Sequence, residues 1–174
     1  MYKKHLSKKE KKELVRKLAS SGLTRFAELF KQCEIAILLD YDKFAIYVAD
    51  GVPVLFRRVG DDRFYPTLYI LNVMLNRGEA PPIPSLVVDQ GAVKPLLNGA
   101  DVMAPGVTKF TKEFEEGEVV AVLEPDEKYF IVVGYALMSS AKARSVQRGK
   151  VVKNVHRLND VIWRECLNII KRNV

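Results

Sequence analysis

The chain has 174 residues, with 28 Lys and Arg against 21 Asp and Glu and a formal net charge of +7. That length holds one domain or two small ones, and 48% hydrophobic residues can bury an ordinary core, which excludes disorder as the main state. No apolar run approaches the roughly 20 residues of a membrane-spanning helix, and the charged run 8–12 stands where a secretory signal needs its apolar region. Two unpatterned cysteines, Cys33 and Cys166, fit neither a disulfide framework nor a zinc site. A reducing, cytoplasmic setting is expected, with no membrane partner, metal or cofactor.

The positive excess is concentrated at the start. The first seventeen residues carry Lys3, Lys4, Lys8, Lys9, Lys11, Lys12, Arg16 and Lys17 against Glu10 and Glu13 alone. Such crowding points to a polyanionic partner, with solubility as the bland alternative. Ser7 and Glu10 form a capping box that opens a helix over 8–20, with Leu14, Val15, Leu18 and Ala19 as its apolar stripe. Lys4, Lys8 and Lys11 or Lys12 fall on another face at helical spacing. Gly22 stops this helix, and Thr24 caps a short second one. Strands are expected over 34–39, 44–48 and 54–58, the last two joined by the hairpin turn Asp50-Gly51. Pro66 sits in the first turn of a helix that runs through Asn76. Three prolines among residues 81–84 break helix and strand alike, so a domain boundary is placed there, dividing the chain into 1–82 and 83–174.

The second half opens with a strand at 86–88. Asp89 caps a helix towards Leu97, and Asn98-Gly99 closes it. Further strands are expected at 101–103, 118–123, 129–138 and 151–156. Ser140 caps a short helical turn and Asn159 a final helix, in which Trp163 starts the apolar stripe. Short strands separated by turns argue for a small barrel or sandwich. Gly134 and Ala136 lie in register on one strand face. They leave room either for a neighbouring side chain or for close approach of a ligand.

Two segments carry a resemblance. Residues 88–107, VDQGAVKPLLNGADVMAPGV, look like the opening of a PUA domain, the module named after pseudouridine synthases and archaeosine transglycosylases. Residues 149–163, GKVVKNVHRLNDVIW, resemble the PUA end of the malignant T-cell amplified sequence and translation machinery-associated family. Ala104, where eukaryotic members have a cysteine, gives the segment an archaeal look. The resemblance implies an α+β fold: a small N-terminal α/β domain (pre-PUA), then a PUA pseudo-barrel of mixed short strands. It also implies binding of tRNA or rRNA at the small ribosomal subunit in initiation, reinitiation or recycling, beside a SUI1-domain protein.

In such modules RNA crosses the short first helix, the glycine loop after it and the last strand. Lys94 would then touch phosphate, and Asn98, Gly99, Ala100 and Asp101 would bring backbone amides to the ligand. Gly134 and Ala136 would form a flat floor. Lys150, Lys153 and Arg157 add phosphate contacts or are simply solvated. Asn154 reads base edges or ribose hydroxyls, as does His156 unless it bonds within the fold. Met103 is expected to pack. Lys4, Lys8, Lys9, Lys11 and Lys12 form a secondary basic surface. No nucleophile, base or phosphate loop stands in a familiar spacing, so the chain is read as no enzyme. An accessory of RNA modification or ribosome biogenesis is the alternative function, and a protein-interaction scaffold the third.

Overall fold

The computed structural model describes residues 1–174. The first sheet has five antiparallel strands in sequence order: β1 (Tyr2–His5), β2 (Ala36–Asp40), β3 (Phe44–Ala49), β4 (Val52–Arg58) and β5 (Tyr65–Pro66). Helices α1 (Lys8–Ser20) and α2 (Thr24–Gln32) fall between β1 and β2, and α3 (Leu68–Asn76) follows β5. The capping box forms as expected, with Ser7 Oγ accepting from Glu10 N at 3.1 Å and Glu10 Oε1 accepting from Ser7 N at 3.3 Å. Leu14 and Leu18 are buried while Ala19 is exposed, so the helix docks on a narrower stripe than its sequence offers.

Three details correct the sequence reading, and a fourth, the Asp50-Gly51 turn, agrees with it. Lys4 is not on the helix: it lies in β1 opposite Leu38, and its Nζ sits 2.7 Å from Glu10 Oε2. Thr24 is the first residue of α2, and Leu23 precedes it without a side-chain cap. Thr67 caps α3, its Oγ1 accepting from Ile70 N, so Pro66 stays in the short β5, where a missing N–H costs little. Asp50 and Gly51 take φ of 46° and 81°, the two left-handed positions that a type I′ hairpin turn requires.

The second sheet takes six strands in the order β7-β11-β10-β9-β6-β8. They are β6 (Ser85–Val88), β7 (Val102–Met103), β8 (Val107–Phe110), β9 (Val119–Leu123), β10 (Phe130–Ala136) and β11 (Lys150–Arg157). Only β6 and β9 run parallel, and the six strands curl into a mixed pseudo-barrel. Helices α4 (Gln90–Leu97), α5 (Ser140–Ser145) and α6 (Val161–Arg172) lie at its margins. Asp89 caps α4 through Ala92 N at 3.0 Å. Ser139, one residue before the expected cap, closes the start of α5, because the Ser140 hydroxyl is buried against Phe114. Likewise Asp160 caps α6, while Asn159 turns the chain at φ 69°. The strand β8 was not anticipated.

A core of 13 residues is confined to the barrel. A larger one of 33 residues joins both sheets, with Leu39, Ile46 and Phe56 from the first and Val87, Leu123, Phe130 and Val133 from the second. Helix α6 returns to the first half, packing on β4, α3 and β11, and places Ile162, Cys166 and Ile169 in that shared core. No helix is long and apolar enough to cross a membrane.

Candidate nucleic-acid interface

Helix α4 ends beside β11, and the fold ties the two together. Asn154 Nδ2 donates to Leu96 O at 2.9 Å and to Ala100 O at 2.8 Å. Arg157 Nε donates to Leu97 O at 3.1 Å. Gly99 closes the helix at φ 99°, and the guanidinium of Arg157 lies 3.4 Å from where a Cβ at that position would stand. Asp101 completes the joint. Its Oδ1 accepts from Asn154 N at 2.9 Å, while Oδ2 sits 3.3 Å from Lys150 Nζ and 3.8 Å from Lys153 Nζ. Burial by itself raises the Asp101 pKa, but the Asn154 amide and the two lysines outweigh it and hold the carboxyl below its ordinary range. Asp101 therefore stays charged at neutral pH and orients two cations whose own side chains remain 61% and 49% exposed.

The expected residues thus divide. Lys94, Asn98, Gly99, Ala100, Lys150 and Lys153 are exposed, and Arg157 is half-buried. The loop amides are not free for a ligand, however. Asn98 N and Gly99 N donate to Lys94 O and Leu96 O, and Ala100 N donates to Pro95 O, all closing α4. Asn154 spends its amide nitrogen on the same joint, which corrects its reading as a base-edge contact; its Oδ1 is buried without a protein partner.

Gly134 and Ala136 form no floor for a ligand. Both are buried, and a Cβ on Gly134 would stand 1.6 Å from Lys153 O. The glycine is there because β10 and β11 shift register between Val133 and Gly134, bringing one backbone against the other. His156 is 0% exposed. Its Nε2 accepts from Leu68 N at 3.1 Å, so Nδ1 carries the proton and donates to Asp160 at 2.8 Å. The ring also meets Phe56 edge-on, with centroids 5.0 Å apart. It is a strut between β11, α3 and α6, which corrects its assignment to the RNA face.

The role of Asp101 as the orienting carboxylate has no local signal in the sequence, because the pairing of β7 with β11 is what brings it to Lys150 and Lys153. Met103, expected to pack, is 46% exposed and pairs with Lys150 across the β7–β11 ladder. In the N-terminal surface, Lys4 is held by Glu10, and Lys11 Nζ donates to Cys33 O. Lys8, Lys9 and Lys12 stay exposed.

Two family models match. The PUA domain covers residues 84–158, and a domain of unknown function, DUF1947, covers residues 3–73. A malignant T-cell-amplified sequence 1 protein of Danio rerio is 33% identical over 137 residues, spanning 76% of this chain and 72% of its own length. The chain belongs to the malignant T-cell-amplified sequence family. A second member, translation machinery-associated protein 20 of Saccharomyces cerevisiae, is 27% identical over 139 residues, with 76% of this chain and 73% of that protein covered. A protein of Methanocaldococcus jannaschii is 41% identical over 130 residues, 75% of this chain and 74% of its own, in line with the archaeal look of Ala104. Among solved structures, a PUA domain of Aeropyrum pernix, crystallised as a tartrate complex, superposes with a TM-score of 0.80 at 30% identity and covers 97% of this chain and 92% of its own. The family fold, a pre-PUA half followed by a PUA pseudo-barrel, is the one seen here.

Proposed function

We propose that this family member binds RNA without catalysis in translation-related processes, holding it through Lys94, Lys150, Lys153 and Arg157. The observation that carries the reading is the pair of exposed amines, Lys150 and Lys153, around the single carboxylate of Asp101, with Arg157 bonded to the end of α4 at Leu97 O and Lys94 exposed on that helix. Phosphate contacts of this kind set affinity and register rather than sequence choice. The name of the yeast relative, a translation machinery-associated protein, supports the translation setting. The finer reading is tRNA or rRNA at the small ribosomal subunit during initiation, reinitiation or recycling, in the cytoplasm and beside a SUI1-domain protein. Lys8, Lys9 and Lys12 of α1 supply a second contact with polyanion.

A non-catalytic role fits the spent state of the reactive groups. The His156–Asp160 pair looks like a base with its orienting acid, but Nε2 is occupied by the Leu68 amide. Burial pushes the Cys166 thiol far above its ordinary pKa, so no thiolate nucleophile forms. The division into 1–82 and 83–174 belongs to the same proposal: two structural units that share one core.

The test is a titration of the chain with a CCA-ended RNA oligonucleotide over a range of salt. Lys94→Ala and Lys150→Ala should each weaken binding and make the log–log salt slope shallower by about one. Unchanged slope and affinity in both variants would remove the interface. Sedimentation with purified small subunits decides the finer reading: charge reversal at Lys8, Lys9 and Lys12 should lower that association while the oligonucleotide binds as before.

A further inference from the structure

The first sheet leaves one edge open, in the N-terminal half of the chain. β1 pairs with β2 and with no other strand. Leu6 N donates to Ala36 O, directly across the ladder. By antiparallel alternation Tyr2 and Lys4 then turn their amides and carbonyls towards β2, while Lys3 and His5 turn theirs outwards. All four residues of β1 are exposed.

A groove runs alongside. Lys3 and His5 border a space of about 600 Å³ whose other walls include Ile35, Ile37, Ile170 and Val174. Ile35 is 52% exposed there and Tyr2 at the strand's start is 67% exposed, so the edge offers apolar surface as well as free backbone groups. The one acidic side chain lining the groove, Asp50, accepts from the amides of Glu34 and Ile35.

An open edge invites pairing with any passing strand, and charge is the usual guard. Lys3 repels a second copy of the same edge, because like charges placed opposite each other destabilise a ladder, while Lys4 is already paired with Glu10. Lys8, Lys9 and Lys12, which follow in α1, extend the positive field. These charges reject basic and self-pairing strands and favour an acidic one. We propose that this edge receives an extended acidic protein segment, which adds a sixth strand along β1. One of its apolar side chains sits over Ile35, and its carboxylates face Lys3.

The probe is a blocked, fluorescein-labelled octapeptide in which Glu and Val alternate at every second position with Thr between them, so that both face the groove, titrated into the full chain. Saturable binding is expected, together with slowed hydrogen exchange at the Lys3 and His5 amides and no change at Lys4. Lys3→Gln, which removes charge alone, should weaken binding a few-fold. Lys3→Pro also removes the outward N–H and should weaken it about tenfold. Proline is tolerated where the strand N–H faces solvent, so the melting temperature should hold. The exchange measurement needs no variant and stands if the proline chain folds poorly. Three results would overturn the proposal: no saturable binding, no protection at Lys3 and His5, or equal losses in the two variants with displacement by a uridine oligonucleotide of the same charge. The last would mark β1 as a polyanion patch and leave the α4–β11 interface untouched.

Discussion

At the start of β11 the amines of Lys150 and Lys153 stand in solvent around one carboxylate. Three residues beyond Lys153, the ring of His156 is fully enclosed, fixed at both nitrogens by α3 and by the cap of α6. The strand is the same, and both ends carry polar groups able to meet a ligand. What differs is cover: α3 and α6 close over one end, and nothing in the barrel closes over the other. Residue type sets which partners a group can accept. The cover contributed by distant segments decides whether that partner is the protein itself or something outside it.

The contrast breaks most severely at Gly134. Gly134→Val should cost about 3 kcal/mol or more, because the new side chain collides with the Lys153 backbone. Thermal melting should show a destabilised or aggregated chain, and any lost RNA binding should follow the unfolded fraction. A folded, fully stable variant that fails to bind would restore Gly134 to the interface. His156→Ala comes next, at roughly 2–3 kcal/mol, since it leaves the Leu68 amide and Asp160 without their buried partner. Denaturant unfolding measures the loss, and the salt slope of RNA binding should not move.

A smaller effect follows from Asp160. Burial raises its pKa, but the His156 imidazole and the amides of Trp163 and Arg157 outweigh this and hold it below the ordinary carboxylate value. A depressed carboxylate contributes stability that is fully present above its unfolded pKa of about 3.9 and is lost as pH falls through the folded value. Stability attributable to this group should therefore be flat from neutral pH to about 5 and fall below about 4. Asp160→Asn should be less stable at neutral pH by about 1–2 kcal/mol and show a shallower acid limb. The smallest effect sits at the open end. Asp101→Asn keeps the acceptor for Asn154 N but releases Lys150 and Lys153, so RNA affinity should rise roughly threefold at low salt. A fall in affinity would mean that the carboxylate matters more as an orienting group than as a competing charge.

Local chemistry was legible in the sequence, and cover was not. The Ser7–Glu10 box, the Asp89 cap and the Asp50-Gly51 turn depend on neighbours within a few residues, and each stands where the spacing put it. The basic N-terminus misled because Lys4 keeps helical spacing with Lys8 while its backbone pairs with a strand more than thirty residues away. Gly134 and His156 misled for a related reason. A small residue on a strand and a histidine in a basic segment have the same local signature whether they meet a ligand or the protein's own backbone. The rim cations were legible as charges; their arrangement around Asp101 came only with the β7–β11 pairing.

The return of α6 to the first sheet bears on how the chain matures during synthesis. Ile162, Cys166 and Ile169 complete the core that Leu39, Ile46 and Phe56 begin, yet they are made only after every strand of the barrel. A chain made from its N-terminus carries the first sheet with an uncovered apolar flank while the whole barrel is produced. At about 5–20 residues per second, that interval lasts several seconds. The half that is translated first is thus the half that finishes folding last, and its exposed flank is where a nascent-chain chaperone would be needed.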